Sequence, residues 1–172
     1  MRPARRLVSA ALLGLLLAAG CAGAPDPAAT PVTDPHAAPP GDVTGLRALL
    51  DGAGLQTAPL DSLSFILEDR DAGVKLVVFR EDQGASLQAV MAYPADGRAA
   101  SGALQRWNAT RRFGRAYADT RGAPVLASDL ALGPGTGRAA VVAWAELVLA
   151  LAGRFQMEVW PPAGPPADPF HE

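Results

Sequence analysis

From Ala139 to Ala152 the chain carries one charged residue, Glu146, and this run constrains the fold more than any other feature. Its composition predicts a helix over about Arg138 to Phe155, because it holds no proline and is rich in alanine and leucine. Val141, Val142, Trp144, Leu147, Val148, Leu151 and Phe155 do not keep to one narrow stripe. A helix apolar most of the way round must be covered on more than one side. A sheet can supply one cover. A second protomer or a client protein can supply the other, which makes Trp144, Val148 and Leu151 candidate interface residues. In the alternative, Ala139, Ala140, Ala143, Ala145 and Ala150 form a tolerable outer face. The apolar stretch, about 14 residues, is short of the roughly 20 that a membrane-spanning helix needs.

The sheet is legible upstream. Leu63–Glu68, Val74–Phe79 and Leu87–Tyr93 are aliphatic, β-branched or aromatic runs bounded by Asp, Gly or Pro. Asp69, Asp71 and Gly73 mark one turn, and Glu81, Asp82 and Gly84 the next, which predicts an antiparallel meander. Asp42 or Thr44 can cap a short helix carrying Leu46, Leu49 and Leu50, ended near Gly52 or Gly54. A second helix is expected from about Ala99 to Arg112, with Leu104 and Trp107 inward. Phe113–Ala118 and Val125–Leu132 then form another hairpin, turning at Thr120 to Pro124. The predicted order is α-β-β-β-α-β-β-α, an α+β domain with helices packed on a largely antiparallel sheet.

The two ends differ from this core. Arg2, Arg5 and Arg6 precede an uncharged apolar run, Leu7–Ala19, of about 13 residues, the size of a signal-peptide core. It ends in Ala18-Ala19-Gly20-Cys21, which resembles the lipobox of bacterial lipoproteins. That resemblance implies cleavage before Cys21, diacylglycerol on its thiol and acylation of the new amino terminus. Where the motif most often has leucine, this chain has Ala18. Several acyl chains, at about 0.8 kcal/mol per buried methylene, make a firm anchor. Ala22, where an aspartate would retain a lipoprotein at the inner membrane, implies sorting to the outer membrane. Cys21 is the single cysteine, so no intrachain disulfide or cysteine-rich metal site can form. The expected organisation is a leader (1–20), a lipidated Pro/Ala-rich disordered tether (21–41), a folded domain (42–160) and a loose Pro-rich tail (161–172). The formal charge of −2, less the three leader arginines, leaves a mature chain of −5. No basic block favours nucleic acid.

Trp107-Asn108, Arg112-Phe113-Gly114-Arg115-Ala116-Tyr117, Asp119, Gly122 and Asp129-Leu130-Ala131-Leu132 form a pattern similar to that of the YbjN family of bacterial proteins. Leu46-Arg47-Ala48-Leu49-Leu50, Gly54 and Ser86-Leu87-Gln88 extend it upstream, so that it covers most of residues 43–155. The resemblance implies a fold like that of type III secretion chaperones and a regulatory or chaperone-like role, not an enzymatic one. The lipobox and tether depart from the family, and an exported domain cannot act directly on cytoplasmic partners.

Groups for catalysis are sparse. His36 falls in the tether and His171 in the tail, so no Ser-His or Cys-His arrangement can be built in the core. Asp69, Asp71, Glu81 and Asp82 read as turn residues rather than metal ligands. Gly133-Pro134-Gly135-Thr136-Gly137 lacks the lysine of a phosphate loop and reads as a turn into the last helix. Arg106, Arg111, Arg112 and Arg115 gather near a helix end. They can pair with Asp119 or Asp129 and favour the helix carboxyl terminus, or they can hold a small anionic ligand. Trp107 reads as core and Asn108 as a cap on local backbone, although both belong to the motif and are candidate contact residues.

The expectation is therefore a lipid-anchored envelope protein with a non-catalytic interaction domain that meets a protein partner or forms a homodimer. Its rival is a sensor of a small anion through the arginine cluster. No cofactor is implied beyond the covalent lipid on Cys21.

Overall fold

Asp42 opens the first helix as a side-chain cap, its carboxylate accepting from Gly45 N at 2.7 Å. Helix α1 (Val43–Gly52) buries Val43, Leu46 and Leu50. It stops at Gly54, whose φ of 86° lets Leu55 N–H return to the Leu50 carbonyl. In this computed structural model the described residues are 34–161, apart from 82–84, 97–98 and 100–101. Cys21, the leader, most of the expected tether, His171 and the tail lie outside them. Contacts divide the chain at residues 32 and 33, and everything described belongs to the unit Thr33–Glu172.

Six strands follow α1 in one antiparallel sheet: β1 (Gln56–Pro59), β2 (Ser64–Asp69), β3 (Val74–Glu81), β4 (Ser86–Ala92), β5 (Arg115–Ala118) and β6 (Pro124–Ala131). Helix α2 (Ala103–Thr110) precedes β5, and α3 (Arg138–Glu158) closes the domain. The α+β class and the order of elements are those expected. One strand is additional: β1, four residues long and ending in Pro59, pairs with β2 at the sheet edge. Its short polar segment shows no apolar alternation, and β2 supplies the ladder that makes it a strand. Helix α2 is also shorter than expected. Gly102 at its start has φ 71°, and Arg111 is already extended at φ −116°, ψ 143°, turning the chain into β5.

The strand order is β1-β2-β3-β4-β6-β5. The last hairpin is thus inserted in reverse, so that β6 lies inside against β4 and β5 forms the far edge. The core lies on one face. Phe65, Leu67, Leu76, Val78, Leu87, Ala89, Met91 and Leu126 point from the sheet toward Leu46 and Leu50 of α1, Trp107 of α2 and the inward side of α3. Trp107 meets Phe155 edge-on at 5.1 Å, which puts α2 and α3 in the same layer. The structure has two layers, with the three helices sharing one face of the sheet.

Residues 34–41, assigned to the tether on composition, pack against the start of α3. Arg138 N–H donates to the Ala37 carbonyl at 3.0 Å and Ala139 N–H to Pro35 at 3.2 Å. These contacts satisfy amides that a helix start leaves without an intrahelical partner. Gly137 permits the approach, since a Cβ there would lie 2.5 Å from the Pro35 carbonyl oxygen.

Candidate interaction surface

The Trp-Asn pair of α2 joins that helix to the edge strand β5. Trp107, 1% exposed, donates its indole N–H to the Gly114 carbonyl at 3.0 Å. Asn108 makes a two-point contact: its Nδ2 donates to the Ala116 carbonyl and its Oδ1 accepts from Ala116 N–H, both at 2.8 Å. In β5 the backbone groups of Ala116 face away from β6, so the asparagine amide takes the place of a missing neighbouring strand. Gly114 fits because a Cβ would meet Leu126 Cδ1 at 3.0 Å and Leu151 Cδ1 at 3.4 Å. The core of the motif is therefore architectural. Trp107 and Asn108 brace the junction, and Trp107 offers no free surface to a partner.

The arginines do not converge. Arg111 sits over the Trp107 ring at 5.5 Å and pairs with Glu158 of α3 at 2.5 Å. Arg115 reaches the opposite face of the sheet, 3.5 Å from Asp129. Arg112 is exposed between them. Arg106, Thr110, Arg111 and Glu158 do line a hollow of about 350 Å3, but Glu158 already supplies its anion.

The α3 candidates are corrected by burial. Trp144 is 7% exposed, Val148 1% and Leu151 8%. The sheet, α1 and α2 cover them, and Trp144 donates to Ser128 Oγ at 3.3 Å, which in turn donates to the Phe113 carbonyl at 2.7 Å. The apolar excess of α3 is absorbed within the domain because helices flank it on the same layer. Its outer side is Ala139, Ala140, Ala143, Glu146, Ala150 and Arg154, which is the alternative alanine-rich face except for Ala145, 0% exposed and part of the core. By length and composition α3 could cross a membrane, yet much of it is buried in this fold.

The other face of the sheet carries no described element. The register places Ala58, Ile66, Val77, Val90, Ala127 and Arg115 in one row across all six strands. Ile66, Val77 and Val90 are only half-buried, while Ala127 is closed over at 1% exposure. Phe79 and Tyr117 flank the row at 38% and 43%. A solvated antiparallel face would carry polar side chains at these positions. The sequence reading missed this row, although a signal was present: Val77-Val78-Phe79 breaks the alternation of a strand with one wet face. Two acids on this face are paired. Glu68 accepts from Arg70 Nε at 2.7 Å and lies 3.4 Å from Lys75 Nζ, and Asp129 accepts from Gln88 and faces Arg115.

Among the described residues no three His, Cys, Asp or Glu side chains gather as a metal site. The Gly133–Gly137 run is a turn, with Thr136 N–H on the Gly133 carbonyl, and the α3 amides behind it are taken by residues 35 and 37. Tyr93, pushed up to about 12 by burial, is stacked on Trp160 at 4.3 Å and bonded to Gln156.

Comparison with known proteins agrees with this geometry. No curated protein matches the chain at a significant level. Among solved structures, YbjN from E. coli, described as "a putative transcription regulator", superposes with a TM-score of 0.50 at 16% identity, over 69% of this chain and 96% of that one. At such identity the likeness establishes the fold. Residues 42–159 match the family model described as "Putative bacterial sensory transduction regulator", so the chain belongs to the YbjN family.

Proposed function

We propose that this domain is a non-enzymatic, regulatory protein-interaction module, held at the bacterial envelope by lipid on Cys21. The observation that carries the reading is the apolar row Ile66–Val77–Val90 on a sheet face that no described element covers. Exposed apolar patches rimmed by polar groups mark contact surfaces. The regulatory description of the family supports a role exerted through contacts. The lipobox-like Ala18-Ala19-Gly20-Cys21 supports placement of those contacts in the envelope, at the periplasmic face of the outer membrane.

Photo-crosslinking residues placed at Phe79 and Tyr117 in the full chain, expressed in its native envelope, test this reading. Discrete protein adducts are expected from these positions and none from Ala143 on α3. Adducts from Ala143 alone, or from no position, would overturn it.

The rival reading, a small-anion sensor, has one observation in its favour. Arg111 Nε is buried without a hydrogen-bond partner beside the hollow between α2 and α3. Occupying that hollow would require Glu158 to leave Arg111, so Glu158→Gln should create phosphate affinity if the site is real. Unchanged calorimetric titrations of wild type and Glu158→Gln with phosphate would remove it.

A further inference from the structure

We infer that the open sheet face is the docking surface for a second copy of this chain, a conclusion that rests on the domain's acting through protein contacts. Three observations select that occupant.

The row across the sheet is self-complementary. Its midpoint falls between Val77 and Val90, so a two-fold axis along the strands at that point sets β3 of one copy over β4 of the other. Val77 then faces the partner's Val90, and the half-buried Ile66 faces the partner's Ala127. The same apolar residues meet on both halves, as an isologous interface requires.

The charges neither repel a copy nor select an oppositely charged partner. Glu68 with Lys75 and Asp129 with Arg115 are balanced within the face. The mature chain's −5 would disfavour self-association through an unbalanced acidic surface, and this face is not one.

The size is adequate. Six strands at ~4.8 Å and about six residues of length at ~3.3 Å give a projected area of roughly 570 Å2, to which side-chain relief adds. The smaller stable interfaces bury about 600 Å2 per partner, and sheets pack face to face at ~10 Å. Edge-to-edge pairing is the alternative route to a dimer, and both edges are blunted. Asn108 occupies the outward backbone of Ala116 in β5, and β1 is four residues ending in Pro59.

The test is the mass of the full chain carrying Cys21→Ser, measured by sedimentation equilibrium over the micromolar range. A dimer is expected. Val77→Asp and Val90→Lys should each raise its dissociation constant by roughly 30-fold or more, since each buries an unpaired charge. Ala143→Asp on α3 should leave it unchanged, and all three should keep the wild-type far-ultraviolet spectrum. Where an aspartate unfolds the domain, Val77→Cys and Val90→Cys copies mixed under oxidising conditions give the same answer through a disulfide between unlike copies. A chain monomeric throughout, or dimeric in all variants alike, overturns the inference. A monomer that still crosslinks other proteins from Phe79 and Tyr117 overturns only the second copy and leaves the interaction module standing. A monomer without adducts removes both.

Discussion

Asn108 shows how one side chain can stand in for a strand. Its amide presents a donor and an acceptor at the spacing of a peptide group, and both are used on Ala116. Asn108→Ala leaves a partly shielded N–H and C=O on the β5 edge without partners, which should cost about 1–2 kcal/mol in denaturant unfolding. Asn108→Asp keeps the acceptor and loses the donor, so it should fall between. Two carboxylates contribute a pH dependence. Arg70 beside Glu68 holds that carboxyl below its ordinary 4.5, with desolvation opposing and Lys75 assisting. The Ala123 N–H, followed by that of Arg121, holds Asp119 below 3.8. Both folded-state pKa values lie under the unfolded ones, so their contribution is present above those ordinary values and is lost as pH falls through the depressed ones. Glu68→Gln with Asp119→Asn should therefore flatten the acid limb of the stability curve below about 4.5. An unchanged acid limb would mean that neither group is linked to folding.

Helix α3 carries the clearest consequence at the level of elements. An apolar helix of 21 residues can be an interface or a core, and its neighbours decide which. Here α1 lies along it, α2 meets it through Trp107 and Arg111, and β2, β3 and β6 lie beneath. Val148→Asp should consequently unfold the domain, losing about 4 kcal/mol or more, where an interface residue would lose only association. Thermal unfolding followed by circular dichroism separates the two, and a folded Val148→Asp monomer would contradict the packing described. The start of α3 depends on residues 34–41 as well. Gly137→Ala pushes a Cβ into the Pro35 carbonyl and should speed hydrogen exchange at Arg138 and Ala139, while amides deep in α3 stay protected.

For the whole molecule, the described core draws its buried residues from Val43 to Val159, and Cys21 lies outside the described residues. If lipid on that thiol is the anchor, Cys21→Ser should move the protein from the membrane fraction to the soluble one. Its thermal midpoint should stay the same if Cys21 belongs to a tether outside the folded domain, as its sequence context predicts. Retention in the membrane fraction would place the attachment in an uncleaved leader, Leu7–Ala19, or in α3, which the mass of the retained chain distinguishes.

The elements were readable where local chemistry acts alone. Asp42 caps α1, Gly73 and Gly122 turn with positive φ, β2, β3, β4 and β6 are aliphatic or aromatic runs bounded by turn residues, and α3 holds no proline. The Trp107–Tyr117 motif pointed to the family without disclosing that its work is to brace α2 against β5. What the sequence by itself determined is therefore the class, the element order and the family, since caps, turns and periodicity depend on residues a few positions apart. Only the tertiary structure decided that α3 is core, that the arginines part to opposite sides, and that the uncovered apolar surface is the outer sheet face. Each depends on strand order β4-β6-β5 and on which layer α2 joins, contacts between residues distant in the chain that no local spacing encodes.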